Sequence, residues 1–203
     1  MNIGYLINIG YFYFQNVATW GITFNGVDVM NNTGLHGVDK IYSTGQAFAA
    51  VLKDGAVVTW GSKRYGGDTS RLRNVLKGVD RIYSTFGAFA AVLYDGTVVT
   101  WGDEDYGGDM SSVKTELLDV NTIYSTYSAF AAVLQDNTVV TWGHENYGGD
   151  SSSVNTTLIG VDKIYSTDYA FAAVLEDGTV VSWGDENYGG KSANIKTSLA
   201  EFM

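Results

Sequence analysis

The chain has 203 residues, 45% of them hydrophobic and 14% aromatic, which excludes an intrinsically disordered protein. A formal net charge of −10 repels phosphate backbones, so no nucleic-acid partner is expected. There is no Cys, which excludes disulfides, thiolate metal sites and thiol nucleophiles, and no Pro, so every turn must be built from Gly, Asn, Asp and Ser.

The front end, Met1 to Phe14, is apolar and aromatic. It carries neither a basic n-region nor a small-residue cleavage pattern, so a secretory signal is not expected. No run of 18 apolar residues occurs, so no membrane span is expected either. Residues 3–14 read as a terminal strand pair packed into the rest of the chain.

A repeat follows. The motif Ala-Phe-Ala-Ala-Val-Leu, one residue, Asp-Gly or Asp-Asn, a short apolar run and Trp-Gly spans 47–61, 88–102, 129–143 and 170–184. A degenerate copy ends at Trp20-Gly21. Trp therefore recurs at 20, 60, 101, 142 and 183, a spacing of 40 and then 41 residues. Such a period marks an array of small supersecondary units, none of which buries its own apolar face alone. The units divide the single domain at about 1–40, 41–81, 82–122, 123–163 and 164–203.

Within one unit, Ile82-Tyr83-Ser84-Thr85 is a short β-prone run. Ala88 to Leu93 reads as a strand with both faces apolar, hence buried between neighbours. Asp95-Gly96 is a hairpin signal and predicts a type I′ turn with φ > 0 at both central residues. Asn137, in the copy Asp136-Asn137, tolerates that geometry too. Thr97 to Gly102 returns as the next strand. A polar corner with Tyr-Gly-Gly closes it, and Val113, Leu117 and Leu118 predict a short helix or helical turn from about Ser112 to Leu118. The front unit closes a ring or acts as a cap.

The pattern Ala-x-x-x-Leu-x-Asp-Gly-x-Val-x-x-Trp-Gly with a Gly-Gly corner resembles the regulator-of-chromosome-condensation repeat family, in its short-bladed form. The resemblance covers about residues 38–190. It implies a β-propeller of small antiparallel sheets. The place where that family often has Gly-His holds Gly45-Gln46, Phe86-Gly87, Tyr127-Ser128 and Asp168-Tyr169 here. No exchange-factor or inhibitor residue carries over.

Few residues invite chemistry. Trp60, Trp101, Trp142 and Trp183 occupy one equivalent place and read as core between units, each N–H bonding a carbonyl at the corner. Tyr65, Tyr106, Tyr147 and Tyr188 lie in the polar corner and are the better ligand candidates, with packing as the competing reading. Around them stand Asp103, Glu104, Asp105, Glu145, Asn146, Asp185, Glu186 and Asn187. A Ca²⁺ site of Asp103, Glu104, Asp105 and Asp109 is disfavoured, because the equivalents include Lys63 and Arg64 and the spacing is not that of an EF-hand. His36 and His144 lack a partner at any motif spacing, and no nucleophile elbow, phosphate loop or zinc motif occurs. No catalytic residue, metal or cofactor is expected.

The residues that vary between copies lie at strand ends, where a rigid scaffold carries binding groups. The expectation is an all-β repeat protein with short helical turns, a small β-propeller of about five units, with an open repeat array or solenoid as the alternative. Its expected function is that of a non-catalytic scaffold binding another protein through strand-end loops. The alternatives are a carbohydrate-binding module and a self-assembling structural subunit.

Overall fold

The computed structural model describes residues 35–191. The expected strand pair at 3–14, Trp20-Gly21 and the chain after Lys191 lie outside these residues. Four sheets follow one another along the chain, each of three strands in sequence order. The first holds β1 (Val38–Ser43), β2 (Ala47–Leu52) and β3 (Val57–Gly61). The second holds β4 (Val79–Ser84), β5 (Ala88–Leu93) and β6 (Val98–Gly102). The third holds β7 (Val120–Ser125), β8 (Ala129–Leu134) and β9 (Val139–Gly143), and the fourth β10 (Val161–Ser166), β11 (Ala170–Leu175) and β12 (Val180–Gly184). All pairings are antiparallel. Each sheet starts at a Val ahead of the Ile-Tyr-Ser-Thr run, because a register shift between Val79 and Arg81 lets Val79 pair with Leu93. The other three first strands repeat that bulge.

The middle strand is buried on both faces, as its sequence predicts. Phe89 and Ala91 pack back onto Ala47, Ala49 and Val51 of the preceding sheet. Ala88, Ala90 and Val92 pack forward onto Phe130, Ala132 and Leu134. A large ring on one face thus meets small residues on the next, which lets the sheets approach closely. Phe89 lies opposite Trp101 in the register and stacks on it at 5.1 Å. The pair recurs as Phe130–Trp142 and Phe171–Trp183. Full burial of such side chains stabilises each junction by about 1.5–3 kcal/mol per residue.

Trp101, Trp142 and Trp183 lie in the core between sheets, and Trp60 packs within the first sheet. Trp60, Trp101, Trp142 and Trp183 are all buried. Trp101, Trp142 and Trp183 donate their indole N–H to Gly66, Gly107 and Gly148, each in the corner of the preceding sheet.

One local expectation needs correction. The Asp-Gly hairpins are not type I′ turns, since among the described residues outside Gly only Asp119 and Asn137 have positive φ. Gly96 N–H donates to Leu93 O and Leu93 N–H to Thr97 O, so three residues turn the chain, with Gly96 alone at φ +80°. This is the three-residue hairpin closed by a left-handed bulge residue. Asp95 keeps negative φ and accepts the Thr97 N–H at 2.9 Å, an Asx-type contact that favours the bend. Asn137 takes the left-handed place at φ +64°. Of the helix or helical turn expected at about 112–118, the turn is what forms. Those residues form successive turns, with Glu116 and Leu117 donating to Val113 O. A stretch this short does not meet the cost of helix nucleation. Leu117 is buried, whereas Leu118 is exposed. The equivalent places hold one-turn 3₁₀ segments, Ser70–Leu72 and Asn155–Thr157.

Candidate binding face

The corner after each Trp-Gly is a built structure. Glu104–Tyr106, Glu145–Tyr147 and Glu186–Tyr188 are single 3₁₀ turns. The residue ahead of each caps it: Asp103 accepts from Asp105 N–H, His144 Nδ1 from Asn146 N–H, and Asp185 from Asn187 N–H. A side-chain acceptor there satisfies a donor that the turn leaves open. Each turn ends in a Gly with positive φ, such as Gly107 at +89°.

A Thr then fixes the ring that follows. Thr85 Oγ1 donates to Tyr106 O at 2.8 Å and accepts the N–H of Ala88. Thr44, Thr126 and Thr167 do the same for Tyr65, Tyr147 and Tyr188. The start of each middle strand is thereby tied to the corner that closes the same sheet.

The corner tyrosines belong to one continuous column of rings. Tyr65, Phe86, Tyr106, Tyr127, Tyr147, Tyr169 and Tyr188 form successive contacts across all four sheets. Phe86–Tyr127, Tyr147–Tyr169 and Tyr169–Tyr188 are stacked at 4.7, 5.2 and 4.4 Å. The backbone beneath is also continuous. Gly45 N–H donates to Phe86 O, Phe86 N–H to Tyr127 O, and Tyr127 N–H to Asp168 O. The absence of a side chain at Gly45 leaves room for the Phe86 ring, since a Cβ there would lie 2.3 Å from it. Beside the column runs a groove of about 390 Å³, lined by the Ser-Thr pairs at 84–85, 125–126 and 166–167 with Phe86, Tyr127 and Asp168.

The column changes the acidity of its members. Burial, followed by the charges of neighbouring tyrosines, raises the Tyr106 and Tyr127 hydroxyls above their usual value.

The acidic residues of the corners divide into two kinds. Asp103 is buried and its carboxylate takes the Nε–H of Arg64 from the preceding corner. That hydrogen bond, with the charge of Asp103, raises the Arg64 guanidinium. Glu104, Asp105, Glu145, Asn146, Glu186 and Asn187 are exposed, and Asp185 is half-buried. Glu186 pairs with Lys191 at 3.3 Å, with both side chains in solvent, an arrangement of small energetic value. Among the described residues no group of three or more His, Asp or Glu is arranged to hold a metal ion.

The structure therefore brings Tyr65, Tyr106, Tyr147 and Tyr188 onto one face, with the exposed acids around them. The variable pairs ahead of the middle strands, read from the sequence as part of the strand-end loops, supply Phe86, Tyr127 and Tyr169 to that face, although their rings were not singled out. Their signal was an aromatic ring within the variable pair before three of the middle strands. Sequence reasoning missed the Arg64–Asp103 pair.

No protein-family model matches the chain, and no curated protein matches it. Solved structures do. Yeast RCC1 (Prp20), in its complex with Kap60, matches at 15% identity over 78% of this chain and 45% of that one, with a TM-score of 0.52. Human WBSCR16 matches at 17% identity over 75% of this chain and 48% of that one, with a TM-score of 0.52. The ectodomain of the receptor kinase CR4 from Physcomitrella patens matches at 17% identity over 72% of this chain and 40% of that one, with a TM-score of 0.50. The chain thus spans less than half the length of each. Likeness at this identity speaks for the fold alone, and with the repeated three-stranded sheets it makes this chain a small all-β repeat protein of the propeller type.

Proposed function

We propose that this protein is a non-catalytic repeat scaffold that binds another protein along its column of rings and the corner loops beside it. Tyr65, Tyr106, Tyr147 and Tyr188 are its recurrent contacts, with Phe86, Tyr127 and Tyr169 between them. Glu104, Asp105, Glu145, Asn146, Glu186 and Asn187 form the polar rim, and Asp103 and Asp185 hold the corners in shape. The observation that carries this reading is the unbroken run of seven rings across one edge of the array. Tyr offers contact area at low entropic cost and is enriched at binding hot spots. Tyr127 is 37% exposed and Tyr188 55% exposed, an apolar cost that a partner would relieve. Yeast RCC1 is a propeller of this general kind bound to Kap60, so the architecture is compatible with a protein partner.

A carbohydrate partner is less well supported. A sugar packs on the free face of a ring, and at the acidic end of the column Tyr147, Tyr169 and Tyr188 cover one another's faces, with stacks at 5.2 and 4.4 Å. The test is to capture a partner on the immobilised protein and remeasure binding with Tyr106→Ala, Tyr147→Ala and Tyr188→Ala. Each should weaken it, while Lys114→Ala and Asn155→Ala should leave it unchanged. Binding that survives all three Tyr variants excludes this face.

A further inference from the structure

Each junction between two sheets has two unlike halves. At the second junction Tyr83, Ala90 and Val92 face forward from one sheet, and Ile123, Phe130 and Trp142 press back from the next. The third repeats this with Tyr124, Ala131 and Val133 against Ile164, Phe171 and Trp183.

Among the described residues, the two ends of the array are one such junction divided. The first sheet carries a rear half, in which Ile41, Phe48 and Leu52 pack around Ala50 and Trp60. Ile41 and Phe48 are only half-buried, whereas Phe89, Phe130 and Phe171 are at most 1% exposed. The fourth sheet carries a forward half. Ala172 and Val174 are half-buried and Tyr165 is 55% exposed, while Ala90, Val92, Ala131 and Val133 in the same places are buried.

The polar links across the junctions stop at the same two ends. The backbone series from Gly45 through Phe86 and Tyr127 to Asp168 ends with the Asp168 N–H at one side and the Gly45 carbonyl at the other. Arg81 reaches across a junction to Asn121 O at 2.9 Å. The residues in those two places at the ends are Lys163 and Asp39, a cation and an anion, both exposed.

We propose that a second copy of this chain docks head to tail, its first sheet on the fourth sheet of its neighbour, and rebuilds there the junction that occurs three times within one chain. Repeat units of this kind bury their apolar faces only on neighbours, and the end faces match because they derive from the same repeat. Lys163 meets Asp39 at the rim, which fixes the register of the two sheets. An interface of two unlike halves closes a ring when its rotation returns on itself and otherwise extends an open array. The chain spans less than half of yeast RCC1 and of WBSCR16, so two copies would supply about as much chain as one of them. The surface is the end face of the sheets and not the ring column, so the failure of one reading leaves the other standing.

The experiment is sedimentation velocity of the full chain over a wide range of concentration. The parent should sediment as assemblies of two or more chains that dissociate on dilution. Val174→Glu on the forward half and Ile41→Glu on the rear half should each give single chains. Mixed in equal amounts, the two variants should regain a dimer, because one keeps an intact rear half and the other an intact forward half. Lys163→Glu, on the exposed rim, should raise the dissociation constant about fivefold, the scale of one exposed ion pair, and adding Asp39→Lys to the same chain should restore it. The proposal is overturned if the parent is a single chain at every concentration, which leaves these faces to residues 1–34 or to the chain after Lys191. It is overturned equally if both Glu variants still assemble or if their mixture stays dissociated. Should circular dichroism show that the Glu variants do not fold, the Lys163 and Asp39 variants decide, and a dissociation constant that ignores both removes the proposed junction.

Discussion

Trp101 donates its indole N–H to the carbonyl of Gly66, 3.0 Å away and in the corner of the preceding sheet. One side chain therefore both fills the core between two sheets and satisfies a buried backbone acceptor. Trp101→Ala and Trp142→Ala should each cost about 3–5 kcal/mol, as for large-to-small changes in a packed core. Trp101→Phe keeps much of the volume and loses the hydrogen bond, so it should cost less. Urea denaturation midpoints decide the matter, and a loss under about 1 kcal/mol for both Ala variants would remove the core assignment.

Gly96 stands at φ +80°, and a Cβ there would come within 3.3 Å of Asp119 Cα. Gly96→Val should destabilise the fold by about 1 kcal/mol or more, from backbone strain at a β-branched residue. Asn137 already occupies the equivalent conformation. Asn137→Gly should relieve backbone strain while losing the side-chain hydrogen bond to Glu176, so its melting temperature should shift far less than that of Gly96→Val.

Tyr127 touches Phe86, Tyr106 and Tyr147 in the column. Its removal as Tyr127→Ala should cost stability on the order of 0.5–1.5 kcal/mol for each well-formed ring pair. The near-ultraviolet circular dichroism of the column should weaken with it, because the coupled rings are no longer continuous. Tyr94, exposed on a hairpin, is the control: Tyr94→Ala should leave both readouts close to those of the parent.

Tyr106 and Tyr127 predict an alkaline limit to stability. Their folded hydroxyls titrate above the ordinary value of 10.0, first because of burial and next because of neighbouring tyrosines. The fold therefore favours their protonated form. Their contribution is complete below about pH 10 and is lost as pH rises through the higher folded values. Spectroscopic titration should show a delayed fraction of tyrosinate, and that fraction should shrink in the double variant Tyr106→Phe, Tyr127→Phe.

The turns predict an acid limit. Asp95 is held below 3.8 chiefly by the Thr97 N–H, Asp136 by the Thr138 hydroxyl and Asp150 by the Ser152 N–H. A depressed carboxyl stabilises the fold above its unfolded value, and that contribution is lost as pH falls through the lower folded value. Carboxyl resonances of these residues should titrate below the ordinary aspartate value of 3.8, and Asp136→Ala should flatten the loss of stability in acid.

The sequence by itself determined the repeated unit. The 41-residue spacing of Trp, the doubly apolar Ala88–Leu93 strand and the Asp-Gly signals are local chemistry, and local chemistry sets strands, turns and buried faces. It marked the corner tyrosines and the indole N–H as seeking a carbonyl, but not which corner supplied that carbonyl. The tertiary structure decided those relationships, because they act across a repeat. Gly66 lies 35 residues from Trp101, and Arg64 lies 39 from Asp103. Phe86 and Tyr127 enter the ring column only when neighbouring sheets stack, and Leu117 is held by that stacking in a run too short to form a helix alone. A pattern of period two or three reports what a residue faces within its own strand or turn. What it meets in the next sheet depends on how the sheets pack, which no single repeat encodes.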